Sequence, residues 1–110
     1  MEEAIVVAVV RVAAVGDVAP GTGKVVEAGG RTLALFNFNG TFYALDNTCT
    51  HLGGPLGEGS VDGTVVTCPW HGSQFDITTG AVVGPPARRP VAAYRAPVEN
   101  GEVMVELPDA

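Results

Sequence analysis

The sequence is poor in cysteine and histidine. Its 110 residues contain two cysteines and two histidines, and all four lie in two short segments, residues 49–51 and 68–71. Because no serine or lysine lies in a recognisable catalytic motif, a nucleophile–base pair is not expected. A glycine-rich loop for the phosphates of a nicotinamide or flavin cofactor is also missing. The chain is therefore interpreted as a protein that is not an enzyme.

Positive charge is scarce as well. Six lysines and arginines stand against twelve acidic residues, which gives a net charge of -6. Without a basic stripe to displace counterions, neither a nucleic-acid partner nor an anionic membrane surface is expected. The acidity has two explanations of equal weight: it keeps the protein soluble, or it favours docking to a partner with a basic face.

Long hydrophobic runs are also lacking. The longest, residues 4–10, is far shorter than the about 20 residues that a membrane span needs, and Arg11 follows it. Glu2 and Glu3 precede it, where a signal peptide would be basic. The run is rich in β-branched residues and predicts a strand, so we expect a cytoplasmic protein with no membrane contact.

No segment has the three-to-four-residue apolar period of a helix, whereas 15 glycines and 8 prolines interrupt the chain at short intervals. This pattern predicts one all-β domain, residues 1–110. Asn39-Gly40, Asp62-Gly63 and Asn100-Gly101 each predict a hairpin with a type I′ turn. The predicted strands are residues 5–13, 23–28, 31–38, 41–45, 58–61, 64–67, 74–76, 81–83, 91–98 and 102–106.

Two details of this prediction concern single residues. The core is expected to include Leu33, Leu35, Phe42 and Ala44. Pro97 predicts an edge position for the strand 91–98, because proline cannot donate a hydrogen bond to a neighbouring strand.

Each of the two cysteine-containing segments offers one thiolate and one imidazole. Such a mixed set suits zinc or an iron–sulfur centre and does not suit calcium or magnesium. A structural zinc site remains an alternative, although the Cys49-x-His51 spacing is tighter than zinc ribbons and fingers use. A disulfide between Cys49 and Cys68 is a further alternative, without a secretory signal to support it.

The two segments belong to a longer two-part motif, Cys49-x-His51-x-Gly53-x-x-Leu56 followed by Cys68-x-x-His71-Gly72. This motif resembles the signature of Rieske proteins, which hold a [2Fe–2S] cluster with two cysteines on one iron and two histidines on the other. Residues 39–45 and 84–87 extend the resemblance. It implies one cluster per chain, bound by Cys49, His51, Cys68 and His71 in a lobe of about residues 45–86 inserted into an antiparallel β base.

The resemblance also implies which residues surround the cluster. They are Leu52, Gly53, Gly54, Trp70, Gly72, Ser73, Pro85 and Pro86. Glycine there lets backbone amides approach sulfides closely, and the proline segment is expected to cover the cluster. For Trp70, packing beneath its loop is favoured over contact with a partner. The Arg88-Arg89 pair is interpreted as solvated surface, with docking as the alternative.

Departures from quinol-oxidising Rieske proteins bear on the reduction potential. Those proteins have an additional cysteine in each loop, where this chain has Gly54 and Trp70. Of their two hydrogen-bond donors to cluster sulfurs, a serine is matched by Ser73 and a tyrosine is replaced by Phe75. The resemblance thus implies a potential in the lower half of the Rieske range of about -150 to +300 mV.

In function, the resemblance implies a soluble, monomeric one-electron carrier. Its expected partners are a flavin-dependent reductase, which supplies electrons, and a terminal oxygenase, which receives them. The alternative within the family is a small Rieske subunit of a nitrite-reductase-like complex. The alternative from a different class is a zinc-stapled interaction module.

Overall fold

The computed structural model describes residues 8–51 and 53–108. In these ranges the chain forms eleven β-strands and two short 3-10 helices, and it forms no α-helix. The strands are β1 Ala8–Ala14, β2 Thr22–Ala28, β3 Arg31–Phe38, β4 Thr41–Asp46, β5 Ser60–Asp62, β6 Val65–Thr67, β7 Gln74–Asp76, β8 Val82–Gly84, β9 Ala93–Arg95, β10 Val98–Glu99 and β11 Glu102–Leu107. The 3-10 helices are Val15–Asp17 and Leu56–Glu58. The all-β prediction is confirmed.

Three antiparallel sheets contain all of these strands. One has the order β1-β11-β10, the second β2-β3-β4-β9, and the third β5-β6-β7-β8. The strands nearest the two ends of the described chain pair with each other, with Ala8 opposite Leu107. The third sheet lies between β4 and β9 in sequence, so it is an insertion in the second sheet. Within the described part of the chain, no helix is long and apolar enough to cross a membrane.

Two of the three predicted type I′ turns are confirmed. Asn39 and Gly40 have φ values of 54° and 89°, and Asn100 and Gly101 have 53° and 78°. Positive φ at both central residues defines this turn type, which fits the right-handed twist of the adjoining strands.

The prediction for the third turn is wrong in detail. Asp62 pairs with Val65, so the two-residue loop is Gly63-Thr64 and Asp62 belongs to β5. Positive φ is confined to Gly63, at 61°. A turn that needs positive φ at its first central residue alone is type II′, and glycine is the residue favoured there.

The predicted strand 91–98 is also wrong, because the chain changes sheets within it. Residues of β9 pair with β4, whereas those of β10 pair with β11. Pro97 therefore lies between two strands and not within one, but β9 and β10 are both edge strands of their sheets, so the predicted edge position is confirmed. Its carbonyl accepts a hydrogen bond from the Met104 N–H at 2.8 Å. Proline suits such a break, since it has no N–H to leave unpaired.

The other predicted strands are present with small shifts at their ends. The strand predicted from residue 58 begins at Ser60, because the 3-10 helix extends to Glu58. The strand predicted at 81–83 is found at Val82–Gly84. Residues 5–7 of the first predicted strand lie outside the described residues.

Strands β3 and β4 contribute to two separate hydrophobic cores, because successive side chains of a strand point to opposite faces of its sheet. The first core contains the four predicted residues Leu33, Leu35, Phe42 and Ala44, together with Val103, Val105 and Leu107. The second core contains Ala34, Phe36, Leu45, Leu56, Val66, Phe75 and Ile77, together with Cys49 and Cys68. Both cysteines thus lie on the face of the second sheet opposite the first core.

Candidate functional site

The first loop, residues 49–54, leaves β4 and is closed by hydrogen bonds between its ends. The Cys49 N–H donates to the Gly54 carbonyl at 2.9 Å, and the Gly53 N–H donates to the Cys49 carbonyl at 2.9 Å. Gly53 has a φ of 83°, a left-handed conformation that favours glycine. Asn47, just before the loop, accepts a hydrogen bond from the Gly57 N–H at 2.8 Å and fixes where the loop begins.

The second loop, residues 68–73, repeats this backbone pattern after β6. The Cys68 N–H donates to the Ser73 carbonyl at 2.8 Å, and the Gly72 N–H donates to the Cys68 carbonyl at 3.1 Å. Gly72 has a φ of 81°. The two loops therefore hold their cysteines by the same arrangement, with a left-handed glycine at the fifth position of each.

The two thiols are buried inside the protein. Cys49 is 3% exposed and Cys68 is 2% exposed, and they are not joined, which contradicts the disulfide alternative. Burial raises the pKa of the Cys68 thiol; amide hydrogen bonds at Trp70 and His71 act against this, and the Cys49 thiol adds to it. The His51 N–H also donates to Cys49 Sγ at 3.4 Å. Both sulfurs thus lie close together among backbone amides.

The two histidines lie toward the surface. Their ring centroids are 5.1 Å apart and the rings meet edge to face at 87°. The His71 ring is exposed, whereas His51 is half-buried. Among the described side chains, His51 Nδ1 is the one buried polar atom without a hydrogen-bond partner. A buried nitrogen of this kind is available to a metal, since a neutral imidazole has one nitrogen that can accept.

The donors fall into a buried thiol pair and an outer imidazole pair. No three histidine, cysteine or acidic side chains of residues 8–51 and 53–108 form a group that could hold one metal ion. A tetrahedral zinc ion needs its four ligands around one point. Two thiols and two imidazoles in separate pairs instead fit a two-iron centre with two ligands on each iron.

Gly54 makes the approach of the two loops possible. A Cβ atom at this position would lie 2.5 Å from Cys68 Sγ and 3.0 Å from Trp70 Cγ. Real Cβ atoms do not come so close to other atoms, so any larger residue would push the second loop away from the first.

A third segment, residues 84–89, is attached to both loops. The fully buried Ser73 Oγ accepts a hydrogen bond from the Ala87 N–H at 3.0 Å. Thr50 Oγ1 donates to the Arg89 carbonyl at 2.6 Å. Pro86 lies beside His51 at the wall of an open cleft, and Pro85 is exposed.

Two of the residues named around the site need separate comment. Leu52 lies outside the described residues. Trp70 is 57% exposed, so the interpretation that it packs beneath its loop is wrong. Its Cβ and Cγ atoms lie near Gly54, and more than half of the residue is open to solvent.

Sequence reasoning missed Thr50 and Asn47. Thr50 lies between two expected ligands, and this position was the only indication that its side chain would hold the third segment. Asn47 had no signal, because its partner Gly57 follows ten residues later, in the 3-10 helix.

Comparison with known proteins agrees with a two-iron centre. The family model described as the Rieske [2Fe-2S] domain matches residues 8–95. Ferredoxin CarAc of Metapseudomonas resinovorans is 38% identical over 96 residues, covering 86% of this chain and 90% of that protein.

Two solved structures are similar throughout most of the chain. The ferredoxin of carbazole 1,9a-dioxygenase from Nocardioides aromaticivorans IC177 has a TM-score of 0.86 at 30% identity, covering 89% of this chain and 96% of that one. The ferredoxin in a complex of reduced oxygenase and oxidized ferredoxin of carbazole 1,9a-dioxygenase has a TM-score of 0.83 at 37% identity, covering 89% and 92%.

Proposed function

Because this chain belongs to the Rieske [2Fe–2S] domain family, we propose that it is the ferredoxin component of an oxygenase system. It is an electron carrier with one Rieske [2Fe–2S] cluster and not an enzyme. In the proposed role it takes single electrons from a flavin-dependent reductase and passes them to a terminal oxygenase. The partner in the solved complex of a similar ferredoxin, an oxygenase, supports this choice.

The observation that carries the proposal is the separation of the donors into an inner and an outer pair. Cys49 and Cys68 would hold the inner iron, and His51 and His71 the outer one. When bound, the cluster accepts and returns one electron, and two neutral imidazoles in place of thiolates place its potential above that of plant-type ferredoxins. Both cysteines are buried in the second hydrophobic core, so the inner side of the site is closed to solvent.

The outer side provides the route for electrons. The exposed His71 ring and the half-buried His51 ring bring imidazole edges to the surface. Trp70, exposed on the second loop next to His71, offers a partner a large flat contact of the kind that interfaces favour.

The same loops account for a low reduction potential within the family. Ser73 Oγ accepts from the Ala87 N–H, so its own proton is free to donate to a sulfur. Phe75, also fully buried, has no donor to offer. With one donor to sulfur in place of two, the reduced state is less stabilised, and we place the potential in the lower half of about -150 to +300 mV.

We propose further that the protein is a cytoplasmic monomer with a single domain, residues 1–110, whose cluster-binding lobe is about residues 45–86. The third sheet supports these bounds, since β5 to β8 lie within them and pair with one another. The similarity to ferredoxins of dioxygenase systems favours this role over a nitrite-reductase subunit.

Purification and reconstitution test the proposal. The anaerobically purified protein should be red-brown and contain about two irons and two sulfides per chain. Product formation by a reductase and oxygenase encoded near its gene should then depend on adding it. A colourless protein with zinc and no sulfide would contradict the cluster, and turnover that is independent of the protein would contradict the role.

A further inference from the structure

Arg88 and Arg89 are the only adjacent basic pair in the sequence. Both are exposed, and neither makes an ion pair with any residue of 8–51 or 53–108. By contrast, Arg11 pairs with Glu102 at 3.4 Å and Arg95 with Glu106 at 3.7 Å. The two adjacent arginines therefore keep their full positive charge available at the surface.

These arginines share a cleft with one of the proposed cluster ligands. The cleft is open to solvent and has a volume of about 360 Å³. It is lined by Thr50, His51, Pro86, Ala87, Arg88 and Arg89. A group bound there would lie against the His51 side chain, on the side from which electrons are proposed to leave.

The backbone that carries the arginines is held in place on both sides. The Ala87 N–H donates to Ser73 Oγ in the second loop at 3.0 Å, and the Arg89 carbonyl accepts from Thr50 Oγ1 in the first loop at 2.6 Å. Arg88 lies between these two attachments. Little backbone freedom is thus lost when a partner binds, which lowers the entropic cost of association.

We propose that this cleft is a docking site for a surface rich in Asp and Glu on an electron-transfer partner, with Arg88 and Arg89 binding its carboxylates beside His51. The proposal depends on the proposed function, in which the imidazole edges exchange electrons. Guanidinium groups suit this task because they bind carboxylates with two parallel hydrogen bonds.

The charge of the whole chain gives the pair a further effect. With a net charge of -6, most of the surface repels an acidic partner. Attraction is then concentrated at the cleft, and the partner is oriented so that its docking surface meets the histidine side of the protein. Complementary charge of this kind acts mainly on association rate and orientation.

Voltammetry of the cluster-loaded protein on coated gold tests the docking site, with carboxylate-terminated and hydroxyl-terminated monolayers as probes. On the carboxylate surface, the double variant Arg88→Gln/Arg89→Gln should transfer electrons about tenfold more slowly than the wild type. On the hydroxyl surface the two proteins should have equal rates. The control Arg11→Gln/Lys24→Gln removes the same charge outside the cleft and should leave the rate on carboxylate unchanged.

Three results would overturn the docking site: an unchanged rate in the double variant, equal slowing in the control, or suppression of the wild-type rate by free phosphate at constant ionic strength. The last would identify a small-anion site. A wild-type protein without a one-electron wave on either surface would overturn the proposed function, and the docking role with it.

Discussion

The first loop, residues 49–54, and the second loop, residues 68–73, share a backbone and differ in their side chains. Both close with a hydrogen bond from the cysteine N–H to the sixth residue and both have a left-handed glycine at the fifth position. At the sixth position, however, the first loop has Gly54 and the second has Ser73. The glycine leaves room for Cys68 Sγ, whereas the serine hydroxyl binds the third segment at Ala87. The shared backbone therefore positions the thiols, and the sixth residue determines what packs against each loop.

Removing one thiol should have the largest effect. Without its fourth ligand the cluster is lost in Cys68→Ser, and because metal binding contributes folding free energy, the third sheet should loosen. Chemical analysis should find neither iron nor sulfide. The circular dichroism spectrum should still show the β signal of the first two sheets. The control Ser60→Ala, at an exposed position of β5, should keep a full cluster. A fully loaded Cys68→Ser protein would contradict the ligand assignment.

The difference at the sixth position is tested next by Gly54→Ala. The added Cβ collides with Cys68 Sγ, and overpacking of this kind costs about 1 to 3 kcal/mol. We expect lower cluster occupancy and a lower unfolding midpoint in thermal denaturation. Gly16→Ala is the matched control, since an added Cβ there meets nothing within 4 Å. If both variants behaved like the wild type, close approach would not be the reason for glycine in the first loop.

Ser73→Ala tests the second loop in the same way. It leaves the buried Ala87 N–H without its acceptor, at a cost of about 1 to 3 kcal/mol. If the hydroxyl also donates to a sulfur, the reduction potential should fall by some tens of millivolts, roughly the equivalent of one hydrogen bond for one electron. Phe75→Tyr, which restores a donor, should raise it. Lost stability with an unchanged potential would limit Ser73 to attaching the third segment.

The smallest effect is expected in the second sheet, outside both loops. Burial and the hydrogen bond to Asp46 raise the pKa of Tyr94 to about 12 from 10.0. Because the folded protein favours the neutral phenol, its contribution to stability is complete below pH 10 and is lost as pH rises through about 12. Tyr94 is partly exposed, so solvent weakens the effect.

Equilibrium denaturation across this pH window should therefore show a flatter decline of the unfolding free energy for Tyr94→Phe than for the wild type. Asp46→Asn, which removes the carboxylate partner, should also make this decline flatter, but less so than Tyr94→Phe. A decline as steep in Tyr94→Phe as in the wild type would assign the alkaline instability to other groups.

The sequence was sufficient for those features that depend on local residue types. Asn39-Gly40 and Asn100-Gly101 predicted their turns because positive φ at both central positions favours these dipeptides. Leu33 and Phe42 were correctly assigned to the core. The four ligand candidates were found because the chain contains no other cysteine or histidine.

Features that depend on long-range contacts were not predictable. At Pro97 the chain passes from the second sheet to the first. Nothing in the local sequence distinguishes this change of sheet from one continuous edge strand. The exposure of Trp70 depends on which elements surround its loop in the folded chain. The position of Arg89 depends on Thr50, which precedes it by 39 residues.

The central claim, that one histidine from each loop binds the outer iron, is tested most directly by pulsed EPR. The measurement uses the reduced protein with all histidines labelled with nitrogen-15. Coupling from two histidine nitrogens is predicted, one of them the otherwise unpartnered Nδ1 of His51. His51→Ala should remove one coupling or the whole cluster signal. A cluster signal with no histidine coupling, or with coupling from one ring alone in the wild type, would contradict the claim.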